Sequence, residues 1–313
     1  MLYITLGLWT ISALLILFEK RNMRMILYMG IFGMFSSLAF FLLGSPDVAM
    51  AEAAISSFTI IFFIVCLEKY YWYGMDLKKI EKQEARRKRK TNVWIRYILP
   101  LIFTLFSFGL FVYFIPDNIV NSYLKELYLG RFMEEVGGYN PVTAIYLRYR
   151  VYDTLFEALM LLVGIVAVVH LSHYEELVAD DGKHSDIRRS DIAVVTIRLI
   201  CPLMVLFCIY LVMNGHLTAG GGFQGGVVAA SLFVCRYLIH DIYDIPTDRV
   251  ITFEKLIFAG ILLLAVLFIF VGLKDLFPMH RNVYLVAMNL LIGLKVACGF
   301  FIVFYRFIAF ERR

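Results

Sequence analysis

Six side chains of the types that handle protons or small cations stand out in or beside strongly apolar runs. Asp47 and Glu52 share one run, Asp153 and Glu157 open another, Lys295 stands in the middle of a third, and His216 leads a cluster of glycines. A carboxylate at membrane depth needs a partner, a polar cavity or a proton, so such a residue is a functional candidate. Ser45-Pro46-Asp47 reads as a helix start, with a capping hydroxyl, a proline in the first turn and an acid against the helix dipole. Glu52 then lies roughly 10 Å into that helix. Its alternative reading is a hydrogen-bonded structural glutamate.

Asp153 and Glu157 are four apart and share one helix face. Thr154-x-x-Glu157 also has the form of a capping box, which would explain Glu157 locally, and both readings stand. Lys295 is too deep to extend to either membrane surface, so it either exchanges protons or pairs with a carboxylate. Arg198, near the end of its run, reaches the surface. His216 is a proton carrier or a structural hydrogen-bonding residue.

The stretch Gly220-Gly221-Gly222-Phe223-Gln224-Gly225-Gly226 satisfies the dinucleotide pattern literally, but no strand–helix–strand context surrounds it. Small-residue packing fits better. Gly222, Gly226 and Ala230 recur every four residues, and a face of that kind lets a neighbouring helix approach closely. The other glycines, Gly220, Gly221 and Gly225, permit irregular backbone at the start of the run.

Several chemistries are absent from the pattern. Cys66, Cys201, Cys208, Cys235 and Cys298 form no CxxC pair and read as structural thiols. No fixed metal site, no nucleophile–base set and no cofactor motif is present. The expectation is a chain that is not an enzyme on its own and carries no cofactor.

The elements that position these groups follow from composition. Of 313 residues, 61% are hydrophobic and only 18% charged, where a soluble domain is about a quarter charged. Nine apolar runs, 2–18, 25–43, 48–67, 94–115, 154–170, 192–214, 223–239, 251–273 and 284–307, are of the length a transmembrane helix needs. The first has no basic lead and no cleavage site, so it reads as a retained span. With the N-terminus outside, twenty-two of the 30 cations fall on the inside and six on the outside. The other two, Arg198 and Lys295, lie within spans. The bias fits the positive-inside rule. The expected fold is all-α and polytopic, with about nine transmembrane helices, N-terminus outside and C-terminus inside.

The run from Lys78 to Lys90 is an inside anchor rather than a nucleic-acid site. The outside loop 116–150 is expected to lie along the membrane surface. Charged breaks divide the chain into a three-helix module at 1–75, a basic loop at 76–93, a two-helix module at 94–175, a polar linker at 176–191 and a four-helix module at 192–313.

Three sets of motifs resemble one system, the Mrp-type multisubunit sodium/proton antiporters and the membrane-bound hydrogenase arms derived from them. DVAMAEA (47–53) is similar to the three-helix D-type hydrogenase module. NPVTAI (140–145) with RVYDTLFE (150–157) is similar to the two-helix E-type module. Both modules also form the tail of the large antiporter subunit. GHLTAGGGFQGG (215–226) and NLLIGLKV (289–296) are similar to the four-helix B-type (MnhB-like) subunit. Ala51, Phe156 and Ala219 stand where the family usually has Thr, Gly and Pro, and none of these departures removes a charge.

The resemblance implies a non-redox membrane subunit, multi-pass in a prokaryotic cell membrane. It would contribute to Na+ and H+ translocation with Glu52 and Glu157 as binding carboxylates, Asp47 and Asp153 at the outer mouth, and Lys295 as modulator or relay. The long antiporter-like portion of the large subunit is missing from this sequence. The expected setting is therefore a larger anaerobic respiratory complex of hydrogenase or ferredoxin-oxidoreductase type, with other membrane subunits, Na+, H+ and lipid as partners and no nucleic acid. The alternative is a structural scaffold that bridges antiporter-like subunits without an ion path of its own.

Overall fold

A computed structural model describes residues 1–72, 122–171, 191–239, 247–270 and 280–310, with isolated positions between 98 and 109. Every regular element among them is helical: α1 (Leu2–Phe18), α2 (Asn22–Leu42), α3 (Pro46–Trp72), α4 (Ser122–Val136), α5 (Pro141–Ala144) running into a π-helical turn (Ile145–Tyr149), α6 (Val151–Leu171), α7 (Asp191–Asn214), α8 (Gly222–Ile239), α9 (Thr247–Phe270) and α10 (His280–Phe310). Seven helices, α2, α3 and α6 to α10, are long and apolar enough to cross a membrane, and α1 is a shorter apolar helix. The fourth expected span, from residue 94, is described only at isolated positions. The basic loop 76–93 and residues 176–190 of the linker lie outside the described residues.

The chain divides into two compact units, Met1–Lys69 with Arg131–Arg313, and Tyr70–Gly130. Within the first, α10 is the axis. More than half of its apolar window is buried, against 6% for α7. Its buried positions, Tyr284, Leu285, Met288, Asn289, Ile292, Lys295, Val296 and Ile302, recur every three or four residues as one stripe. Helices α6, α7, α8 and α9 pack on it, and α3 joins it through aromatic edges. Phe58 meets Phe300 at 4.9 Å and Phe62 meets Phe307 at 5.3 Å between ring centroids.

The approach of α8 to α10 depends on glycine. A Cβ on Gly222 would lie 2.3 Å from the Asn289 carbonyl oxygen, and one on Gly226 would lie 2.6 Å from that of Gly293. Gly225 faces the other way, where a Cβ would meet Val212 of α7 at 2.4 Å. Small residues thus let three backbones converge, a mode suited to a bilayer where apolar burial supplies little attraction between helices.

Two turns set the geometry of the site. Helix α2 ends in a Schellman arrangement: the Ser45 N–H donates to the Phe40 carbonyl and the Gly44 N–H to that of Phe41, both at 3.0 Å. Gly44 sits at φ +77°, which glycine adopts without strain. Pro46 then opens α3 at once and places Asp47 in its first turn. The second turn precedes α6. Asn140 caps α5 by accepting from the Val142 N–H at 2.9 Å, with Pro141 next, and the π-helical turn follows.

The segment 138–149 corrects the expectation of a loop along the membrane surface. Asn140, Thr143, Ala144 and Leu147 are all buried, and the Tyr284 hydroxyl donates to the Leu147 carbonyl at 3.0 Å. The amphipathic pattern belongs to α4, whose Phe132 and Val136 are buried.

Candidate functional site

The first buried polar cluster gathers residues from three distant stretches of sequence. Asp47, in the first turn of α3, is buried. Its Oδ1 accepts from Asn140 Nδ2 at 2.9 Å and from the Gly220 N–H at 3.0 Å. The same Asn140 Nδ2 lies within hydrogen-bond reach of the carbonyls of Gly215 (3.1 Å) and Thr218 (3.0 Å). Thr143 donates to the Gly215 carbonyl at 2.6 Å. The Tyr139 and Asn140 N–H groups both donate to the His216 carbonyl, at 2.9 and 3.0 Å. The loop between α7 and α8 is therefore held by side chains and backbone that belong to neither helix. Gly220, at φ +146°, gives that loop a shape favourable to glycine.

Tyr146 and Asn289 extend the cluster to α10. The Tyr146 hydroxyl donates to Asn289 Oδ1 at 2.9 Å, and the Gly222 N–H donates to the same oxygen at 3.2 Å. Burial, above all, pushes the Tyr146 phenol up to about 12, and the negative charges of Asp47 and Glu157 add to the rise. Tyr146 thus stays protonated and stands electrostatically between the two acids. Gly221 leaves room for it, since a Cβ there would lie 2.6 Å from its hydroxyl oxygen.

His216 is buried beside this cluster, and its Nδ1 has no hydrogen-bond partner among the described residues. Burial pushes its imidazole below the usual histidine range, so the neutral form is favoured.

The second cluster is a buried ion pair. Lys295 Nζ donates to Glu254 Oε1, joining α10 to α9, with side-chain exposures of 1% and 0%. The ammonium also lies 4.9 Å from the centre of the Phe258 ring, a cation–π contact. Lys295 therefore has the carboxylate partner that its depth requires. Sequence reasoning passed over Glu254, because next to Lys255 and near the start of its run it reads as a rim charge. Its place four residues into the apolar stretch was the available signal.

The remaining acids are dispersed. Glu52 is half-buried, and Ser56 donates to its Oε1 at 3.4 Å. Asp153 is exposed and paired with Arg150 at 2.5 Å. Glu157 is exposed on α6. The capping box expected for it does not form: α6 begins at Val151, so Thr154 is already inside the helix, and its hydroxyl donates to the Tyr146 carbonyl at 2.6 Å. No hydrogen bond or ion pair among the described residues joins Glu52 to Glu157. Asp47 lies in the buried cluster.

No disulfide joins any of the five cysteines, and all five are half-buried. Among the described residues no group of His, Cys, Asp and Glu is placed to hold a metal ion.

Comparison with known proteins gives this architecture a context. Residues 192–311 match the family model of a domain related to the MnhB subunit of Na+/H+ antiporter, and residues 7–71 match that of MbhD, the D-type subunit of MBH. Over 178 residues, 56% of the chain, the sequence is 26% identical to the antiporter subunit mnhA2 of Staphylococcus haemolyticus. Over 168 residues, 54% of the chain, it is 26% identical to mnhA2 of Staphylococcus aureus strain JH9. These matches take in 20% of each relative, so the chain spans about a fifth of their length.

Among solved structures, a chain of the Mrp complex from Dietzia sp. DQ12-45-1b shares the fold. The TM-score is 0.70 at 18% identity, covering 97% of this chain and 34% of that one. A chain of the membrane-bound sulfane sulfur reductase, an archaeal respiratory membrane complex, matches with a TM-score of 0.51 and 27% identity, over 67% of this chain and 96% of that one.

Proposed function

We propose, for this Mrp-derived fusion of an MbhD segment with an MnhB-related domain, a role as a non-redox membrane subunit that carries part of a sodium and proton pathway in a larger respiratory complex. The observation that carries this reading is Glu157. Its carboxylate is exposed on α6, about 9 Å along a span whose flanking residues Phe156 and Met160 are also exposed. A charge left facing lipid at that depth is expensive, so the face is completed by another subunit, a cation or a proton. Oxygen ligation by the carboxylate suits sodium, and the same group holds a proton when desolvated. Glu52, with the Ser56 hydroxyl beside it, is the second binding acid. Asp47 and Asp153 serve the outer end, with Asp47 acting through the buried cluster, and His216 exchanges protons near it.

In this reading the chain crosses a prokaryotic cell membrane nine times, N-terminus outside and C-terminus inside. Residues 94–175 form the E-type module, and electrons travel in other subunits. The likeness to a chain of an archaeal respiratory complex at 27% identity supports that setting. The test is Glu157→Gln in the assembled complex. Sodium-dependent proton movement in inverted membrane vesicles is expected to fall by about tenfold or more, with assembly intact on native mass spectrometry. Unchanged transport removes Glu157 from the path.

The bonds from Asp47 to Asn140 and Gly220 favour a second reading, a scaffold whose acids tie segments together. That reading gains if Glu52→Gln and Glu157→Gln both assemble and both transport as wild type does.

A further inference from the structure

Glu254 and Lys295 form a pair whose burial is nearly complete, yet Glu254 Oε2 has no hydrogen-bond partner among the described residues. A buried ion pair adds little net stability over an apolar pair of the same volume, and an open acceptor in such a place calls for a ligand or a role. A second orphan lies on the same helix as Lys295. Asn289 is 0% exposed, its Oδ1 is fixed by Tyr146 and Gly222, and its Nδ2 has no partner among the described residues. It precedes Lys295 by six residues, about 9 Å along α10. An unpaired donor attached to the first cluster and an unpaired acceptor attached to the ion pair therefore stand on one helix, about 9 Å apart along its axis and about a third of a turn apart around it.

The geometry points to a proton relay in the MnhB-related domain, in which Glu254 takes a proton on Oε2 while Lys295 gives one up from Nζ. An O–H bond forms at Oε2, an N–H bond breaks at Lys295, and the released proton goes to water. The carboxyl group then turns its O–H toward the neutral amine; that O–H bond breaks as an N–H bond forms at Lys295 Nζ, which restores the ion pair. One proton enters and one leaves, and the pair keeps zero net charge at each resting stage. A site this dry requires that, because a net charge without compensation is costly there. The Phe258 ring steadies the ammonium when it is charged. Tyr146 and Asn289 orient the water on the entry side, which makes them positioning residues.

This inference rests on the transport reading above and adds Glu254 to the proton branch beside Glu157. The test is the double substitution Glu254→Met with Lys295→Met, which replaces the pair by apolar side chains and leaves no buried charge unpaired. In vesicles carrying the assembled complex, proton movement is expected to fall by about a hundredfold, with assembly unchanged on native mass spectrometry. An assembled double variant that moves protons at the wild-type rate overturns the relay. If the double variant does not assemble, infrared difference spectra of the wild-type complex during turnover decide. A protonated-carboxyl band that shifts in Glu254→Asp supports the relay, and a spectrum without such a band overturns it. A wild-type complex that moves neither sodium nor protons refutes the transport reading itself, an outcome distinct from either of these.

Discussion

Asp47 illustrates how one carboxylate can be structural and electrostatic together. Its Oδ1 takes both the Asn140 amide and the Gly220 N–H, and its charge also reaches Tyr146. Removing it strands the buried Gly220 N–H, at a cost of about 1–3 kcal/mol, and leaves the Asn140 amide with the Gly215 and Thr218 carbonyls alone. Asp47→Ala is therefore expected to lower the thermal unfolding midpoint in detergent far more than Asp47→Asn, which keeps an acceptor oxygen. Equal midpoints for the two variants would remove Asp47 from the centre of the cluster. His216 gives a pH signature. Its imidazole is held below the usual range in the fold, so the unfolded chain binds the extra proton first. The stability it contributes is whole above about pH 6.5 and is lost as pH falls through that value toward the folded pKa. The midpoint of the wild-type protein should drop between about pH 7.5 and about pH 5.5, and His216→Gln should flatten that drop.

At the scale of elements, helices were readable because apolarity is a local property. The runs 2–18 and 192–214 coincide with α1 and α7 to within a residue. Partner choice is not local. Asn140 and Asp47 are 93 positions apart and Glu254 and Lys295 are 41 apart, so no window of sequence contains either pair. Lys295 announced its need for a counter-ion by depth alone, whereas Glu254, beside a lysine, did not. The glycines fall between these cases: their spacing marks a face for close approach, but only the fold says that Gly225 turns to α7 while Gly222 and Gly226 turn to α10. Gly222→Ala is expected to destabilise by about 1–3 kcal/mol, since backbone must move to admit the methyl group. Gly260, on α9, has open space where a Cβ would stand, with nothing within 4 Å, and is the control. Gly260→Ala should be neutral or stabilising by about 0.5–1 kcal/mol, as thermal midpoints would report.

Considered whole, the chain joins stretches that match two family models, and the first cluster lies where they meet: α3 supplies Asp47, the turn into α5 supplies Asn140 and Thr143, and the loop before α8 supplies Gly215 and Gly220. The proposed topology makes a direct prediction at this scale. In a background without native cysteines, a cysteine introduced at position 2 should react with an impermeant maleimide added from outside intact cells. Cysteines introduced at positions 85 and 312 should react only after the cells are opened. Labelling of position 85 in intact cells would invert or break the nine-span arrangement.

Helix α10 has a mechanical consequence. Its 31 residues extend about 46 Å, well beyond the hydrocarbon thickness of about 30 Å, without an internal proline to bend it. A rod that overhangs the bilayer accommodates by tilting or by standing out into water. It behaves as a lever whose fulcrum is the glycine contact with α8. A small rocking of α10 about that point carries Tyr284 and Arg306, on opposite sides of it, in opposite directions. Binding at one face of the membrane is thereby felt as displacement at the other.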